Sequence, residues 1–251
     1  GRLRDGRLET VDLDAVDGGV VNALLVDAAG TLWIATNEGL VRYDEPEATT
    51  YGLESGLTSI NIRALAPAPD GGLWIGTNAD LGHFAGGRFT PLDAEGDIAT
   101  VPVECLLADD DGGLWIGTEA NGVVLLRDGV LHPSQLGGGV DQDWIWSLME
   151  DRDGSLWIGT FSHGLQRLHD GVFTTYSVEE GLADRSVTVV GTTRSGDIWF
   201  GTQNRGLSRL RDGRMSAVVP VDSLPTGFVT CFYEDRDGSI LIGTTGGLVR
   251  F

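Results

Sequence analysis

The chain has 251 residues, 41% of them hydrophobic and 38 of them glycine, a composition that suits a globular protein cut by many tight turns and excludes a disordered one. Its 37 acidic residues face 17 basic ones, all arginine, and the net charge of −20 repels phosphate backbones and anionic lipid surfaces, which excludes nucleic acid as a partner. No run of about 18 apolar residues is long enough to span a membrane, and the opening residues lack the apolar core of a signal peptide.

The abrupt start Gly1-Arg2-Leu3-Arg4 is that expected of a segment taken from a longer protein. Residues Arg2 to Leu8 then read as the end of one strand, an Asp5-Gly6 turn and the start of another. From there one apolar run recurs: Leu32-Trp33-Ile34-Ala35-Thr36, Leu73-Trp74-Ile75-Gly76-Thr77, Leu114-Trp115-Ile116-Gly117-Thr118, Leu156-Trp157-Ile158-Gly159-Thr160, Ile198-Trp199-Phe200-Gly201-Thr202 and Leu241-Ile242-Gly243-Thr244. Each follows a turn glycine, at Gly30, Gly71, Gly112, Gly154, Gly196 and Gly238, so the copies repeat every 41 or 42 residues. A fixed period of this length marks one supersecondary unit repeated six times.

Within a period, four short apolar runs are separated by turns. In the fourth copy Ile145 to Met149 leads to Asp153-Gly154, then Leu156 to Thr160, Ser162-His163-Gly164, Leu165 to Leu168, Asp170-Gly171 and Val172 to Tyr176. Asp-Gly between apolar runs signals a hairpin, because glycine takes positive φ without steric cost and aspartate bonds back to its own turn. The unit is therefore a meander of four strands, A to D. Strand B is apolar at consecutive positions, so both faces of the sheet must be covered, which stacked copies bent into a ring achieve. The expectation is an all-β fold, a six-bladed β-propeller of four-stranded antiparallel blades over residues 1–251 as one domain. The last copy stops at the end of strand C, at Phe251, and the N-terminal strand around Leu8 is expected to complete its blade and close the ring. A parallel β-helix has shorter coils and no Asp-Gly hairpin twice per period.

Five tryptophans, Trp33, Trp74, Trp115, Trp157 and Trp199, occupy one repeat position and read as inter-blade packing. Trp144 and Trp146 lie outside it, in the link entering blade four. Loops from D to A and from B to C open on the same end of a blade, so Trp144, Trp146, Phe161 and His163 are expected at one sector of the propeller mouth. Flat aromatic faces suit sugar rings or other apolar-faced ligands, although Trp144 could equally plug a gap left by Gly137-Gly138-Gly139. Just after the apolar entry to strand A the copies vary, with Asn22, Arg63, Glu104, Trp146, Thr188 and Thr230. Arg63 and Glu104 there either bind a ligand or pair with each other, and Arg205 completes the candidate ligand-binding set.

The acidic turns at Asp109, Asp151 and Asp235 read as hairpins rather than calcium loops, since the twelfth position from Asp151 is Ser162 and from Asp235 is Gly246. Cys105 and Cys231 fall at equivalent places in strand A of blades three and six, and two free, buried thiols are expected. His83, His132, His163 and His169 show no metal-ligand spacing, and neither a Gly-x-Ser-x-Gly nor a phosphate-binding motif occurs, so no catalytic residue, metal or cofactor is assigned.

The pattern Asp-x-x-Gly-x-Leu-Trp-Ile-Gly-Thr followed by x-x-Gly-Leu-x-Arg resembles the two-component regulator propeller repeat. So do the inter-blade links Tyr51-Gly52-Leu53-Glu54-Ser55-Gly56-Leu57 and Tyr176 to Leu182. The resemblance implies an extracytoplasmic, periplasmic sensor region of a bacterial hybrid two-component system. Such sensors resemble pairs of seven-bladed rings followed by a small β domain, a membrane helix and a kinase, whereas six copies stand here. A non-catalytic ligand-binding sensor is the first expectation, with a small molecule or glycan at the mouth. A protein-interaction scaffold is the second. Streptogramin-inactivating lyases are similar in being propellers with a Trp-containing strand, which makes a metal-assisted lyase the third.

Overall fold

The computed structural model describes residues 2–4, 7–9, 19–92, 101–133, 142–225 and 228–251. Strands β1 (Arg2–Arg4) and β2 (Arg7–Glu9) pair with each other, Leu3 opposite Leu8. Two four-stranded meanders follow in a first compact unit, Gly1–Asp93. They are β3 (Val21–Val26), β4 (Leu32–Thr36), β5 (Gly39–Asp44) and β6 (Glu47–Tyr51), then β7 (Ile62–Pro67), β8 (Leu73–Thr77), β9 (Leu81–Ala85) and β10 (Arg88–Pro91).

A second unit, Ala94–Phe251, holds four meanders. Blade three is β11 (Val103–Ala108), β12 (Leu114–Thr118), β13 (Val123–Arg127) and β14 (Val130–Pro133), and blade four is β15 (Ile145–Glu150), β16 (Leu156–Thr160), β17 (Leu165–His169) and β18 (Val172–Tyr176). Blade five is β19 (Val187–Thr192), β20 (Ile198–Thr202), β21 (Gly206–Arg211) and β22 (Arg214–Val219). Blade six is β23 (Val229–Glu234), β24 (Ile240–Thr244) and β25 (Gly247–Arg250). The fold class is the one its repeats predict, an all-β six-bladed β-propeller.

The two kinds of Asp-Gly turn differ. Between strands C and D, Asp128, Asp170 and Asp212 take φ near +50° and the following glycines are also positive, which is the two-residue primed turn that matches strand twist. Between A and B the loop is longer: Asp151 receives Gly154 N–H on its carbonyl at 3.0 Å, and its carboxylate accepts Asp153 N–H at 3.0 Å and Ser155 N–H at 2.9 Å. One oxygen of the Asp151 carboxylate thereby closes its own turn, in keeping with the hairpin reading.

Consecutive apolar residues in strand B are covered on both faces, and β16 and β20 are buried throughout. Trp157 and Leu165 of blade four pack with Val190, Ile198 and Phe200 of blade five, and Trp199 of blade five packs with Val229 and Ile242 of blade six. Burying a side chain such as Phe200 contributes about 1.5–3 kcal/mol, so blades four, five and six stabilise one another. The motif glycine marks where the next blade comes close: a Cβ on Gly159 would stand 2.9 Å from the Val187 carbonyl oxygen.

Two expectations are corrected. The N-terminal strand pairs in a hairpin with β1, and the sixth sheet has three strands. Residues 2–9 contain both partners flanking Asp5-Gly6, and closing so short a loop costs far less entropy than pairing across the whole chain. Cys231 is free but exposed rather than buried, whereas Cys105 is half-buried. Cys105 lies under Ile145 of the following blade, with Sγ 3.7 Å from its carbonyl oxygen, whereas Cys231 Sγ meets Thr230 Oγ1 of its own strand at 3.9 Å.

Candidate functional site

Every A strand carries a β-bulge at the same register. Pairing with strand B jumps from Val21 to Ala23, Ile62 to Ala64, Val103 to Cys105, Ile145 to Ser147, Val187 to Val189 and Val229 to Cys231. The residues passed over are the variable set, Asn22, Arg63, Glu104, Trp146, Thr188 and Thr230. A bulge frees its extra residue from the ladder and re-aims it. Asn22 and Thr188 reach the next blade's A strand: Asn22 Nδ2–H donates to the Ile62 carbonyl at 2.7 Å and Thr188 Oγ1–H to the Val229 carbonyl at 2.5 Å.

In blade four the bulge holds Trp146. Trp144 precedes it by two positions, just before the strand, and Ile145 between them is fully buried. Their rings stack at 4.8 Å with 9° between planes. Phe161, 43% exposed, lies 6.2 Å from Trp144 and 6.4 Å from Trp146 at tilts of 39° and 47°. Both indole Nε1 atoms are buried and have no hydrogen-bond partner among the described residues.

Asp143, which sequence reading did not single out, fixes this cluster. Its buried carboxylate accepts the Trp144 N–H at 2.9 Å, the Ser162 N–H at 3.1 Å, the Ser162 hydroxyl at 2.9 Å, the His163 N–H at 3.1 Å and the His163 Nδ1–H at 2.8 Å. The Phe161 N–H donates to the Trp144 carbonyl at 3.0 Å, so the D-to-A link and the B-to-C loop are laced together. Burial works to raise the Asp143 pKa, but the bonds from His163 and Ser162 outweigh it and hold the carboxyl below its ordinary value. Blade five repeats the device, with Asp184 accepting the backbone and side-chain N–H groups of Asn204. A signal existed: Asp143 and Asp184 stand 41 positions apart, close to the repeat period.

Ser162, His163 and Asp143 do not form a nucleophilic triad. Both Ser162 Oγ, at 3.1 Å, and the carboxylate meet Nδ1 of the ring, whereas a triad places the nucleophile on the opposite nitrogen. The imidazole is oriented by Asp143 through Nδ1, and the side chain is 46% exposed.

The structure thus brings together Trp144, Trp146, Phe161 and His163. Arg63 and Glu104 occupy the bulges of blades two and three, in different compact units, both half-buried. Arg205 is exposed in the B-to-C loop of blade five, its backbone N–H on Thr202 Oγ1 at 3.1 Å. The Gly137-Gly138-Gly139 gap lies outside the described residues. Among the described residues no group of three or more His, Cys, Asp or Glu side chains is placed to hold a metal ion. No helix is long and apolar enough to cross a membrane among them.

Six bulged meanders, five of them carrying Asp-Gly turns, define a repeat propeller. The family described as the two component regulator propeller matches residues 16–38, 56–79, 97–120, 139–162 and 223–246, five of the six B strands. The chain thus carries five repeats of the two component regulator propeller type. A search of the curated proteins found no match. Among solved structures, the extracellular domain of a protein described as a hybrid two-component system of B. thetaiotaomicron is 23% identical with a TM-score of 0.73, covering 92% of this chain. This chain spans only 33% of that one. A catalytically inactive virginiamycin B lyase from Staphylococcus aureus with quinupristin is 15% identical with a TM-score of 0.78, covering 97% of this chain and 83% of that one. A gluconolactonase of Xanthomonas campestris is 15% identical with a TM-score of 0.62, covering 90% and 84%. Likeness at these identities establishes the fold.

Proposed function

We propose that this chain is a non-catalytic recognition module of an extracytoplasmic signalling receptor, which takes a glycan or another small molecule on the aromatic cluster of blade four. The observation that carries this is the stacked Trp144–Trp146 pair, whose two buried indole N–H groups have no acceptor among the described residues. A flat apolar face beside unmet donors suits a ring with apolar faces and oxygen acceptors along its edge, as a sugar has. Exposed Phe161 offers a second face, and Asp143 fixes the imidazole of His163 as a polar contact. Glu104 and Arg205 are further ligand-facing positions of the same unit, and Arg63 holds the bulge register in the other. The sensor role and extracytoplasmic location rest on the repeat family and on the extracellular domain this chain resembles.

The test is a thermal-shift screen of oligosaccharides. A ligand that raises Tm in the native protein but not in Trp144→Ala or Trp146→Ala supports the reading. Capture of a protein partner on the rim with no small-molecule response replaces it by the scaffold reading. A lyase reading rests on the Asp143-held His163 and the likeness to virginiamycin B lyase. Metal-dependent turnover of quinupristin that His163→Ala abolishes would establish that reading instead.

A further inference from the structure

In blades one and four the repeat tryptophan donates its indole N–H to a carboxylate six residues earlier. Trp33 Nε1 reaches Asp27 Oδ2 at 2.8 Å and Trp157 Nε1 reaches Asp151 Oδ2 at 2.7 Å. An arginine from strand C lies over each ring, Arg42 at 5.9 Å from the Trp33 centroid and Arg167 at 5.5 Å from that of Trp157. Indole, guanidinium and carboxylate form one repeated unit.

Blade five keeps two of the three parts. Arg209 lies 5.8 Å over the Trp199 ring, but the position six residues before Trp199 is Thr193. Trp199 is 6% exposed, and among the described residues neither its Nε1 nor the Nε of Arg209 has a hydrogen-bond partner, though both atoms are buried. A buried donor without an acceptor costs about 1–3 kcal/mol. Both residues line a crevice of about 340 Å³ at the A-to-B turns of blades five and six, together with Thr193, Ser195, Val218 and Ile240. That volume falls within the range of small-molecule sites.

The acids lining the crevice are already engaged. Asp197 accepts Arg211 Nε–H at 2.6 Å and Ser195 Oγ–H at 2.9 Å and stands 3.8 Å from Arg209 Nη1, while Glu234 accepts the Arg194 backbone N–H at 2.6 Å. Asp197 thus answers the arginines and leaves the indole unmet.

We propose that this crevice binds a small carboxylate with a short apolar tail, its carboxylate standing where the aspartate side chain stands in blades one and four and its tail against Val218 and Ile240. The site lies at the A-to-B end of its blades, whereas the blade-four cluster lies at the B-to-C end of its own, and it does not depend on the reading given for that cluster. Selectivity for carboxylate over a neutral amide follows from the guanidinium, since charge-assisted hydrogen bonds are roughly twice as strong as neutral ones.

The experiment uses the ¹⁵N-labelled protein, with the Trp199 indole resonance assigned through Trp199→Phe. It is titrated with butyrate, butyramide and inorganic phosphate at constant ionic strength. Butyrate is expected to move that resonance saturably downfield, and the other two to bind roughly tenfold or more weakly. Thr193→Asp rebuilds the blade-four arrangement and is expected to place the resonance downfield without ligand and to remove the butyrate response. Should Thr193→Asp fail to fold, Arg209→Gln is expected to weaken butyrate roughly tenfold. An unmoved native resonance, an equal response to butyramide or phosphate, or a variant that still binds butyrate as the native protein does would overturn the assignment.

Discussion

The Nδ1–H of His163 donates to Oδ2 of Asp143 at 2.8 Å across twenty positions of sequence, and the same carboxylate gathers the backbone of Trp144, Ser162 and His163. One buried side chain therefore sets the geometry of two loops and, through them, of the aromatic cluster. Asp143→Ala is expected to strand these donors and to lower stability by roughly 1–3 kcal/mol in urea unfolding. A blade-four ligand should lose affinity in the same variant, and an unchanged unfolding midpoint would show that water replaces the carboxylate without loss.

Acid should act through the same group. Burial raises the Asp143 pKa but the bonds from His163 and Ser162 lower it by more, leaving the folded value below the ordinary 3.8, and Asp151 behaves alike under burial opposed by Trp157 and Ser155. A depressed folded pKa means that the stabilisation is complete above the unfolded pKa and is lost as pH falls through the folded one. Stability is expected to hold from neutrality to about pH 4 and to decline below it. Asp143→Asn should decline less steeply, and parallel curves for the two proteins would refute the assignment.

The close approach of blade five to the motif glycine of blade four predicts a steric penalty. A Cβ on Gly159 would meet Ser147 Oγ at 2.5 Å and the Val187 carbonyl oxygen at 2.9 Å, and the second contact is backbone that cannot turn aside. Gly159→Ala is expected to cost roughly 1–3 kcal/mol in thermal or urea unfolding. A neutral result would mean that β19 shifts freely against β16.

The two thiols should separate in reactivity. Burial pushes the Cys105 thiol up to about 12, and its sulfur lies under Ile145, whereas Cys231 is exposed. With an alkylating reagent at about pH 8, one thiol per chain should react rapidly and the second only on unfolding. Cys231→Ser should remove the fast phase, and its persistence would place Cys105 in contact with solvent.

The blade count was legible because the six turn glycines from Gly30 to Gly238 keep step with strand B. The coming together of Trp144, Trp146, Phe161 and His163 was legible because loop order decides which ends of a blade meet. Asp143 was not, since an aspartate in a link reads as an ordinary turn former and its acceptor role depends on a loop twenty residues away. The three-stranded sixth sheet was hidden because residues 2–9 carry the grammar of strand D as expected and also that of a self-contained hairpin. Thr193 escaped notice because a missing partner leaves no motif.

The bulge shared by all six A strands separates two demands within a single short segment. Val21, Ile62, Val103, Ile145, Val187 and Val229 must stay apolar to seat one sheet on another, while the next residue is released from that duty and is asparagine, arginine, glutamate, tryptophan or threonine in turn. Chemistry can thus be exchanged at one slot per copy without disturbing the scaffold, and a lineage can retune what such a protein recognises by single substitutions spaced one period apart.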